Sequence, residues 1–364
     1  MPKHFSIAFF GSSLVSAYWN GAATYYRGIV RALHERGHRV TFYEPDVYDR
    51  QAHRDMADPA WAKVVVYRKD EVHAALESAA GADVIVKASG VGANDELLER
   101  EVLALRRPGT VTVFWDVDAP ATLERIANTP ADPFRRLIPS YDLIFTYGGG
   151  APVVDAYHAW GARCCVPIYN ALDPNTHYPV APDPRFAGTL GFLGNRLPDR
   201  ESRVREFFFE PARRLPSETF ILGGNGWETA ANAPPNVRAL GHVYSKDHNA
   251  FNCSTRAVIN INRDSMARTG FSPPTRVFEA AGAGACLITD AWEGIELFLE
   301  PGQEVLVARD GAEVADHLGR LSESEARRMG QRALRRVLTY HTYARRALEV
   351  EATLEATAPQ EVAA

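Results

Sequence analysis

Short apolar runs alternate with helix-like segments along most of the chain, and this alternation limits the folds that it can adopt. The clearest helical segment, AATYYRGIVRALHERG, places Tyr25, Ile29, Ala32 and Leu33 on one stripe and stops at Gly37. Strands that alternate with helices are typical of βαβ units, because parallel strands need long crossover connections. The pattern therefore predicts an α/β protein built on parallel sheets.

The apolar runs fall into two groups, which predict two separate sheets. The runs of the first half are residues 5–10, 39–44, 64–68, 83–88, 110–116, 143–147 and 163–168, and those of the second half are residues 189–193, 219–222, 237–240, 257–261, 285–289 and 304–308. After residue 310 the pattern is helical, and Ser322 with Glu325 has the spacing of a capping box.

The length of 364 residues also favours two domains, since single cores stop growing near roughly 250–300 residues. The proline-rich stretch NALDPNTHYPVAPDPRF separates the halves, and proline fixes φ and removes backbone donors. A crevice between the two layers is the expected ligand site. We expect an N-terminal domain over 1–170, a hinge over 171–186, a C-terminal domain over 187–335, and a C-terminal helix over 336–364 that packs back toward the N-terminal domain.

Composition excludes some classes of protein. The net charge of −5 argues against binding that depends on neutralising a nucleic-acid backbone, so nucleic acid is not an expected partner. No run of about 20 apolar residues predicts a membrane span, and no signal peptide is evident, so the cytoplasm is the expected compartment. The four cysteines lack a C-x-x-C spacing and are expected to be buried thiols. The oligomeric state is not predicted.

The segment GFSPPTRVFEAAGAGACLITDAWEG carries the most chemistry in the second half. Prolines suit the entry of a short helix, and the free N–H groups near Thr275 and Arg276 could hold a diphosphate. Glu279, about one turn further on, could accept two hydrogen bonds from a ribose diol. The alternative is an ordinary amphipathic helix whose arginine and glutamate are solvated.

This segment resembles the donor-binding region of glycosyltransferases with the GT-B architecture, most of all the CgeB-like family of group 1 glycosyltransferases. The stretch TRVFEAAGAGACLITDAWEGIELFLEPGQEVLVARD carries the likeness, with YDLIFTYGGG and NALDPNTHYP in the first half. The resemblance implies two Rossmann-like domains that face a central cleft. It also implies a nucleotide-sugar donor on the C-terminal domain and an acceptor mainly on the N-terminal one.

One position departs from the pattern of retaining transferases with this architecture. Many of them carry two glutamates separated by seven residues, and the second binds the ribose. Glu279 matches the second glutamate, whereas Phe271 occupies the position of the first. Inverting chemistry is therefore at least as well supported as retaining chemistry.

Other residues of the second half are expected on the donor side. A turn ends the strand LGFLGNR, a Gly-rich turn follows ILGGNGW, and the backbone of LGHVYS matches a place where the nucleotide base is often read. Arg263 or Arg268 could clamp the diphosphate, and Arg263 lies closer to a strand end. Plain turns and a structural histidine are the alternatives. The predicted donor residues, besides Thr275, Arg276 and Glu279, are Gly194, Asn195, Arg196, Gly224, His242, Val243 and Arg263.

The N-terminal stretch FFGSSLVSAYWNGAATYYRG lacks the tight G-x-G-x-x-G spacing of a dinucleotide site. Its longer loop suits an acceptor, and the predicted acceptor residues are Gly11, Ser12, Asn20 and Gly21. Glu44 ends the second strand, where dehydrogenases bind ribose. Without the glycine fingerprint, an exposed Glu44 is expected instead.

The motif FWDVDAP ends the fifth predicted strand, and Asp116 and Asp118 would share one face if the strand continued. Three roles remain open for the pair: a catalytic base or acceptor ligand, a structural cap, and a metal site. A base must lie beside the acceptor hydroxyl, and a first-half carboxylate suits that demand. We expect Asp118, nearer the exposed end, or else Asp116, to be the base, and no metal.

Together these features predict a glycosyltransferase of the hexosyltransferase type. It would move a sugar from a nucleotide-sugar donor, of UDP or dTDP type, to an unidentified acceptor without a metal or other cofactor, with inversion at least as well supported as retention. A nucleotide-sugar 2-epimerase of the same fold and a non-catalytic sugar-nucleotide-binding protein are the alternatives.

Overall fold

The computed structural model describes residues 3–18, 20–227 and 233–358. Its internal contacts divide the chain into two compact units. Unit 1 comprises Met1–Asn170 together with Tyr343–Ala364, and unit 2 comprises Ala171–Thr342. Each unit is built around one parallel sheet.

The strands of each sheet are short, as expected for βαβ units. Unit 1 contains β1 (Ser6–Phe10), β2 (Arg39–Pro45), β3 (Lys63–Tyr67), β4 (Val84–Ala88), β5 (Val111–Asp116), β6 (Leu143–Thr146) and β7 (Cys165–Pro167). Unit 2 contains β8 (Gly188–Leu193), β9 (Phe220–Gly223), β10 (Val237–Gly241), β11 (Thr255–Asn260), β12 (Leu287–Asp290) and β13 (Leu306–Ala308).

Helices connect the strands and continue to the C-terminus. In unit 1 they are α1 (Ala23–Glu35), α2 (Val72–Ala79), α3 (Asp95–Ala104), α4 (Ala119–Asn128), α5 (Phe134–Leu137) and α6 (Gly150–Ala159). In unit 2 they are α7 (Pro198–Val204), α8 (Glu210–Arg214), α9 (His248–Ser254), α10 (Asp264–Thr269), α11 (Thr275–Gly282), α12 (Gly311–Arg320) and α13 (Glu323–Tyr340), after which α14 (Tyr343–Thr357) returns to unit 1.

Both sheets have the doubly wound strand order. The order is β3-β2-β1-β4-β5-β6-β7 in unit 1 and β10-β9-β8-β11-β12-β13 in unit 2, with every pairing parallel. The order reverses between β1 and β4 and again between β8 and β11. Ligands of open α/β sheets bind at the carboxyl ends of the strands beside such a reversal. The fold therefore marks one candidate edge in each unit.

The C-terminal helices are defined by local signals and by packing. The Ser322 side chain accepts from the Glu325 N–H and Glu325 accepts in return, which completes the predicted capping box at the start of α13. In unit 1, α14 packs on α1: a β-carbon at Gly28 would lie 2.2 Å from the Tyr343 ring, so glycine permits the close approach. Arg36 and Glu351 form an ion pair between the same helices.

The predicted fold class is confirmed: two Rossmann-like parallel sheets with helices on both faces. Each of the thirteen predicted strands is present, with ends at most two residues from those predicted. No helix within the described residues is both long and apolar enough to cross a membrane.

Glu44 is buried, so the expectation of an exposed side chain was wrong. Its carboxylate accepts hydrogen bonds from the Leu14 N–H at 2.6 Å, the Ser13 hydroxyl at 3.0 Å and the Gln51 side-chain amide at 2.6 Å. Glu44 therefore fixes the loop that follows β1. The sequence concealed this role, because the bonding partners are turned toward it only by the folded loop.

Replacing Glu44 with alanine is expected to lower the free energy of unfolding by about 3–5 kcal/mol, because buried donors lose a charged acceptor. Chemical denaturation followed by circular dichroism measures this. The control is Glu35→Ala, which removes an exposed pair with Arg31 and should cost less than about 1 kcal/mol. Equal losses in the two variants would contradict the role given to Glu44.

Candidate functional site

Two glycine-containing loops interlock at the carboxyl edge of the unit 2 sheet. The loop after β8 begins at Gly194, and its carbonyl accepts from the Trp227 indole N–H at 2.7 Å. Asn195 accepts from the Asn225 N–H at 3.0 Å, and the Arg196 N–H donates to the Asn225 carbonyl at 3.0 Å. The two turns singled out in the sequence therefore form one structure beside the reversal point of the sheet.

Gly224 is required for this contact. Its φ of +126° lies in the region that favours glycine, and a β-carbon there would lie 2.2 Å from the Gly194 carbonyl oxygen. We expect Gly224→Ala to lower the free energy of unfolding by about 2–5 kcal/mol, because alanine disfavours this φ and its β-carbon would overlap the Gly194 carbonyl oxygen. The control is Gly319→Ala in α12, where a β-carbon meets no atom within 4 Å. That variant should be neutral or stabilising in the same denaturation measurement, and matching losses would contradict the interlock.

Two guanidinium groups converge on Gly194. A β-carbon at Gly194 would lie 3.0 Å from the Arg200 Nη1 and 3.0 Å from the Arg276 Nη2. Arg276 also donates to the Asn260 side-chain oxygen at 3.3 Å and lies 5.2 Å from the centre of the Phe192 ring. Both groups are largely shielded from solvent, and neither pairs with a carboxylate within the described residues.

The pKa of Arg276 is lowered to about 10, first by burial and then by the neighbouring charge of Arg200. Burial likewise lowers the pKa of Arg200, and the Arg200 Nε is a buried donor that has no hydrogen-bond partner in the described structure. Two partly desolvated like charges beside each other are unfavourable. The charge and donors of this pair are chemically suited to an anion.

The nearby carboxylates are already paired with other arginines. Glu201 binds Arg196 at 2.8 Å, Asp199 binds Arg263, and the buried Asp290 binds Arg203. This pairing leaves Arg200 and Arg276 without a carboxylate partner among the described residues. It also means that the predicted diphosphate roles of Arg196 and Arg263 would require them to rearrange, and both roles remain predictions.

Helix α11 begins next to this arginine pair. Pro274 is its N-cap residue, and Thr275 and Arg276 form its first turn, as the sequence predicted. Glu279 follows one turn later and is half-buried, and its side chain makes no hydrogen bond or ion pair among the described residues. A carboxylate in this state is available to a neutral hydroxyl ligand, such as a diol.

The loop after β10 is connected to the surroundings of Glu279 through His248. Val243 is buried, whereas His242 is exposed and packs edge-on against Tyr244 with 4.6 Å between the ring centres. The Val243 carbonyl approaches His248 Nε2 at 3.3 Å, at the first residue of α9. Burial lowers the pKa of His248, and the charge of Glu279 opposes that shift. His248 is thus placed to hold this loop and to face Glu279.

Phe271, at the position of the missing first glutamate, has strained backbone geometry. Its φ is +47°, its N–H donates to the Glu293 carbonyl at 2.6 Å, and a β-carbon at Gly294 would lie 2.4 Å from its ring. A left-handed conformation at an aromatic residue persists only where its surroundings enforce it. The loop that precedes α11 is therefore rigidly shaped, but it carries no carboxylate at this position.

In unit 1, Asp116 is the centre of a buried hydrogen-bond network. Its carboxylate accepts from the hydroxyls of Ser89 at 2.7 Å, Thr122 at 3.1 Å and Tyr157 at 2.5 Å, and from the Asp118 N–H at 3.0 Å. Asp116 is fully buried. This arrangement supports the structural role among the three that the sequence left open.

Asp118 has a different environment from Asp116. Strand β5 ends at Asp116, and Asp118 is the exposed N-cap residue of α4. The alternation that would have put both side chains on one face stops with the strand, so the two aspartates do not share a face. No cluster of three or more acidic, histidine or cysteine side chains within the described ranges could hold a metal ion.

The predicted acceptor loop is tied to itself. The Ser12 hydroxyl donates to the Asn20 side-chain oxygen at 2.9 Å, and the Asn20 amide donates to the Ser13 carbonyl at 2.8 Å. A β-carbon at Gly11 would lie 2.4 Å from the Phe42 ring, whereas one at Gly21 would meet nothing within 4 Å. The structure thus gives Gly11 a packing role and leaves the acceptor roles as predictions.

Two residues of the unit 2 site were missed in the sequence. Arg200 lies six residues beyond Gly194, and a second basic residue soon after the strand-end turn was a usable signal. His248 lies within SKDHNAF, where nothing local distinguishes it from a surface histidine. Both become visible only when the sheet brings their loops beside α11.

Comparison with known proteins agrees with this architecture. Solved structures similar to this chain include sucrose-phosphate synthase from Thermosynechococcus elongatus, with a TM-score of 0.68, 13% identity, and coverage of 97% of this chain and 99% of that one. Anabaena Alr3699/HepE in complex with UDP-glucose gives a TM-score of 0.66 at 16% identity, covering 97% of this chain and 100% of that one. The chain has the GT-B fold.

A third similar structure is an alpha-glucosyltransferase in complex with UDP-glucose and DNA that contains an abasic site. It gives a TM-score of 0.68 at 11% identity and covers 97% of this chain and 99% of that one. Residues 200–352, less than half of the chain, match the model of a family described as glycosyl transferase-like. No curated protein matches the chain. The CgeB-like resemblance remains a prediction.

Proposed function

We propose that this GT-B protein is a glycosyltransferase whose donor is a nucleoside diphosphate sugar held by unit 2. The observation that carries the proposal is the pair of unneutralised arginines, Arg200 and Arg276, that converge on Gly194 at the reversal point of the sheet. The match of residues 200–352 and the UDP-glucose complex among the similar structures support the same assignment.

The donor would be bound by three sets of residues, of which α11 supplies Arg276 and Glu279. The guanidinium groups of Arg200 and Arg276 bind the diphosphate, with the N-terminal N–H groups at Thr275 adjacent. Glu279 accepts hydrogen bonds from the ribose hydroxyls. Val243 and its neighbours in the loop after β10 contact the base, and His248 holds that loop in place.

The same arginines provide the main catalytic effect. Negative charge develops on the diphosphate as the bond to the sugar breaks, and fixed cations in a partly dehydrated site stabilise that charge. Two guanidinium groups supply the charge that a divalent metal supplies in other transferases. We therefore propose a reaction that needs no metal. The lack of a glutamate at position 271 makes inversion at least as well supported as retention.

Asp118 is the proposed base that deprotonates the acceptor hydroxyl. Its exposure leaves it accessible to an acceptor, whereas the carboxylate of Asp116 is fully buried. The acceptor is assigned to unit 1, with the loop at Ser12 and Asn20 as its proposed contact. UDP- or dTDP-sugars remain part of this proposal; dTDP has no 2′-hydroxyl, so with it Glu279 would accept from the 3′-hydroxyl alone. The CgeB-like relationship is also part of the proposal.

A matched pair of variants distinguishes the roles of the two aspartates. Asp118→Asn should lower kcat by at least about 100-fold, since a general base contributes typically that much. Its affinity for nucleoside diphosphate should not change. Asp116→Asn should instead lower the free energy of unfolding by about 1–3 kcal/mol, because an amide replaces an accepting oxygen. Full activity of Asp118→Asn would remove its role as base.

The proposed function is tested with a panel of nucleotide sugars, each incubated with the full chain in the presence of EDTA. Release of nucleoside diphosphate, slow with water and faster with a true acceptor, is the expected result. Conversion of UDP-GlcNAc alone into a second sugar nucleotide would establish the epimerase instead. Binding without turnover would identify a non-catalytic protein, and loss of all activity on chelation would contradict metal independence.

A further inference from the structure

An open cavity of about 410 Å³ lies in unit 1, at the sheet edge opposite to the carboxyl ends of its strands. Its lining includes Ser6 at the start of β1, Arg39 at the start of β2 and Lys63 at the start of β3. Gly11 and Asp116 lie at the other ends of their strands, and a strand rises about 3.3 Å per residue. Within unit 1, the cavity therefore lies at the opposite end of the strands from Gly11 and Asp116.

Small side chains on both sides explain the empty space. Strand register places Ala8 opposite Thr41 and Thr41 opposite Lys63, so these side chains and that of Ser6 project from one face of the sheet. Helix α2 covers the same face and ends at Ala79. Small side chains that face each other do not fill the space between the sheet and the helix. The resulting volume of about 410 Å³ lies within the usual range for small-molecule sites, about 300–1,000 Å³.

The walls of the cavity are apolar and aromatic. Trp61, in the segment before β3, is half-buried and lines it together with Ala60 and Ala62. At its inner end the Tyr43 hydroxyl accepts from Ser78 at 3.1 Å. A flat apolar ligand would find stacking surface on an indole and one neutral polar group.

The rim is basic. Arg39, Lys63 and His34 line the cavity, and none of their side chains makes a hydrogen bond or ion pair within the described part of the chain. The neighbouring acid, Asp83, accepts from both the N–H and the hydroxyl of Ser6 at 2.7 Å. Against the effect of burial, these bonds and then the charges of Lys3 and Arg39 lower the pKa of its carboxyl, but Asp83 forms no ion pair with Arg39. The arginine can bind a carboxylate through two parallel bonds, and lysine adds a point charge.

From this combination of an aromatic wall, a volume for one or two rings and an unpaired basic rim, we infer that the cavity binds a small aromatic carboxylate. The carboxylate lies between Arg39 and Lys63, and the ring system lies against Trp61. The site is independent of the donor site, so its ligand does not compete with a nucleoside diphosphate.

Isothermal titration of the full chain with 1-naphthoate tests the inference, with 1-naphthamide as the neutral analogue of the same shape. Binding of the carboxylate is expected, with at least about tenfold weaker binding of the amide, because the charge-assisted bonds are lost. The double variant Arg39→Gln/Lys63→Gln should lose affinity for naphthoate by a similar factor. Trp61→Leu should weaken both probes.

The matched control is Arg107→Gln, which removes another exposed arginine of unit 1 outside the cavity. It should bind naphthoate as the wild type does. Because Arg39 and Lys63 are exposed and form no ion pair, the double variant should keep the wild-type melting temperature. If the double variant is destabilised, the affinity of each single variant for naphthoate is compared with that of the wild type instead. No naphthoate binding at millimolar concentration, equal binding of the amide, or equal binding by the double variant would each overturn the inference.

Discussion

Arg276→Gln is expected to lower the affinity for nucleoside diphosphate by roughly 10–100-fold, which corresponds to the loss of charge-assisted hydrogen bonds worth about 1.5–3 kcal/mol. Arg276 shares the approach to Gly194 with Arg200 and has no carboxylate partner in the described structure. The ligand is thus its expected partner. Isothermal titration with UDP and dTDP measures the effect.

The same variant should not unfold more easily than the wild type. The pKa of Arg276 is lowered to about 10 by burial and by Arg200, which means that the folded state disfavours the charged form. At neutral pH the charge therefore costs stability, and this cost is relieved only as the pH rises past the folded and then the unfolded pKa. We expect an equal or higher melting temperature without ligand. A fall of several degrees would show that Arg276 is structural.

Arg320→Gln is the control, because it removes an exposed arginine at the end of α12 that is not part of the site. Its nucleotide affinity should equal that of the wild type. If both variants lost nucleotide affinity equally, the effect would come from the change in net charge and not from the position of Arg276. Arg200→Gln should behave as Arg276→Gln does, and the double variant should show that the two act together on one anion.

Glu279→Gln is expected to weaken nucleotide binding by roughly 10–100-fold, since a carboxylate that accepts from two hydroxyls is replaced by a neutral amide. The half-buried Glu279 has no partner among the described residues, so the amide breaks no internal bond. Glu296→Gln, at an exposed turn outside the site, is the matched control and should leave affinity unchanged.

A nucleotide without one ribose hydroxyl identifies the group that Glu279 binds. The wild type should bind 2′-deoxy-UDP about tenfold more weakly than UDP, for the loss of one such bond. Glu279→Gln should discriminate much less between them. If the variant kept the full preference for UDP, the ribose would have to be bound by another residue.

Much of the fold could be predicted, because most helices and strands are indicated by residues close together in the sequence. The apolar runs that became β1 and β8, the stripe of α1 and the capping box at Ser322 depend only on neighbours in sequence. Helix α11 and its glutamate were found in the same way. Such signals can be read without knowledge of contacts between residues that are distant in the sequence.

The roles of single side chains could not be predicted where they depend on distant partners. Asp116 meets Ser89, Thr122 and Tyr157 from three other segments, and Glu44 meets the loop at Leu14. The turn after β8 predicts Arg196 as a phosphate ligand, but its pairing with Glu201 is visible only in the structure. Which arginine remains unpaired is a property of the whole site, so Arg200 emerged only from the structure.

A crystal structure of the chain with UDP, or with whichever nucleoside diphosphate stabilises it most, tests the central claim most directly. The account predicts phosphate oxygens within hydrogen-bond distance of both Arg200 and Arg276, and ribose hydroxyls on Glu279. A nucleotide bound away from Gly194, or a diphosphate held by a metal ion with both arginines turned aside, would contradict it.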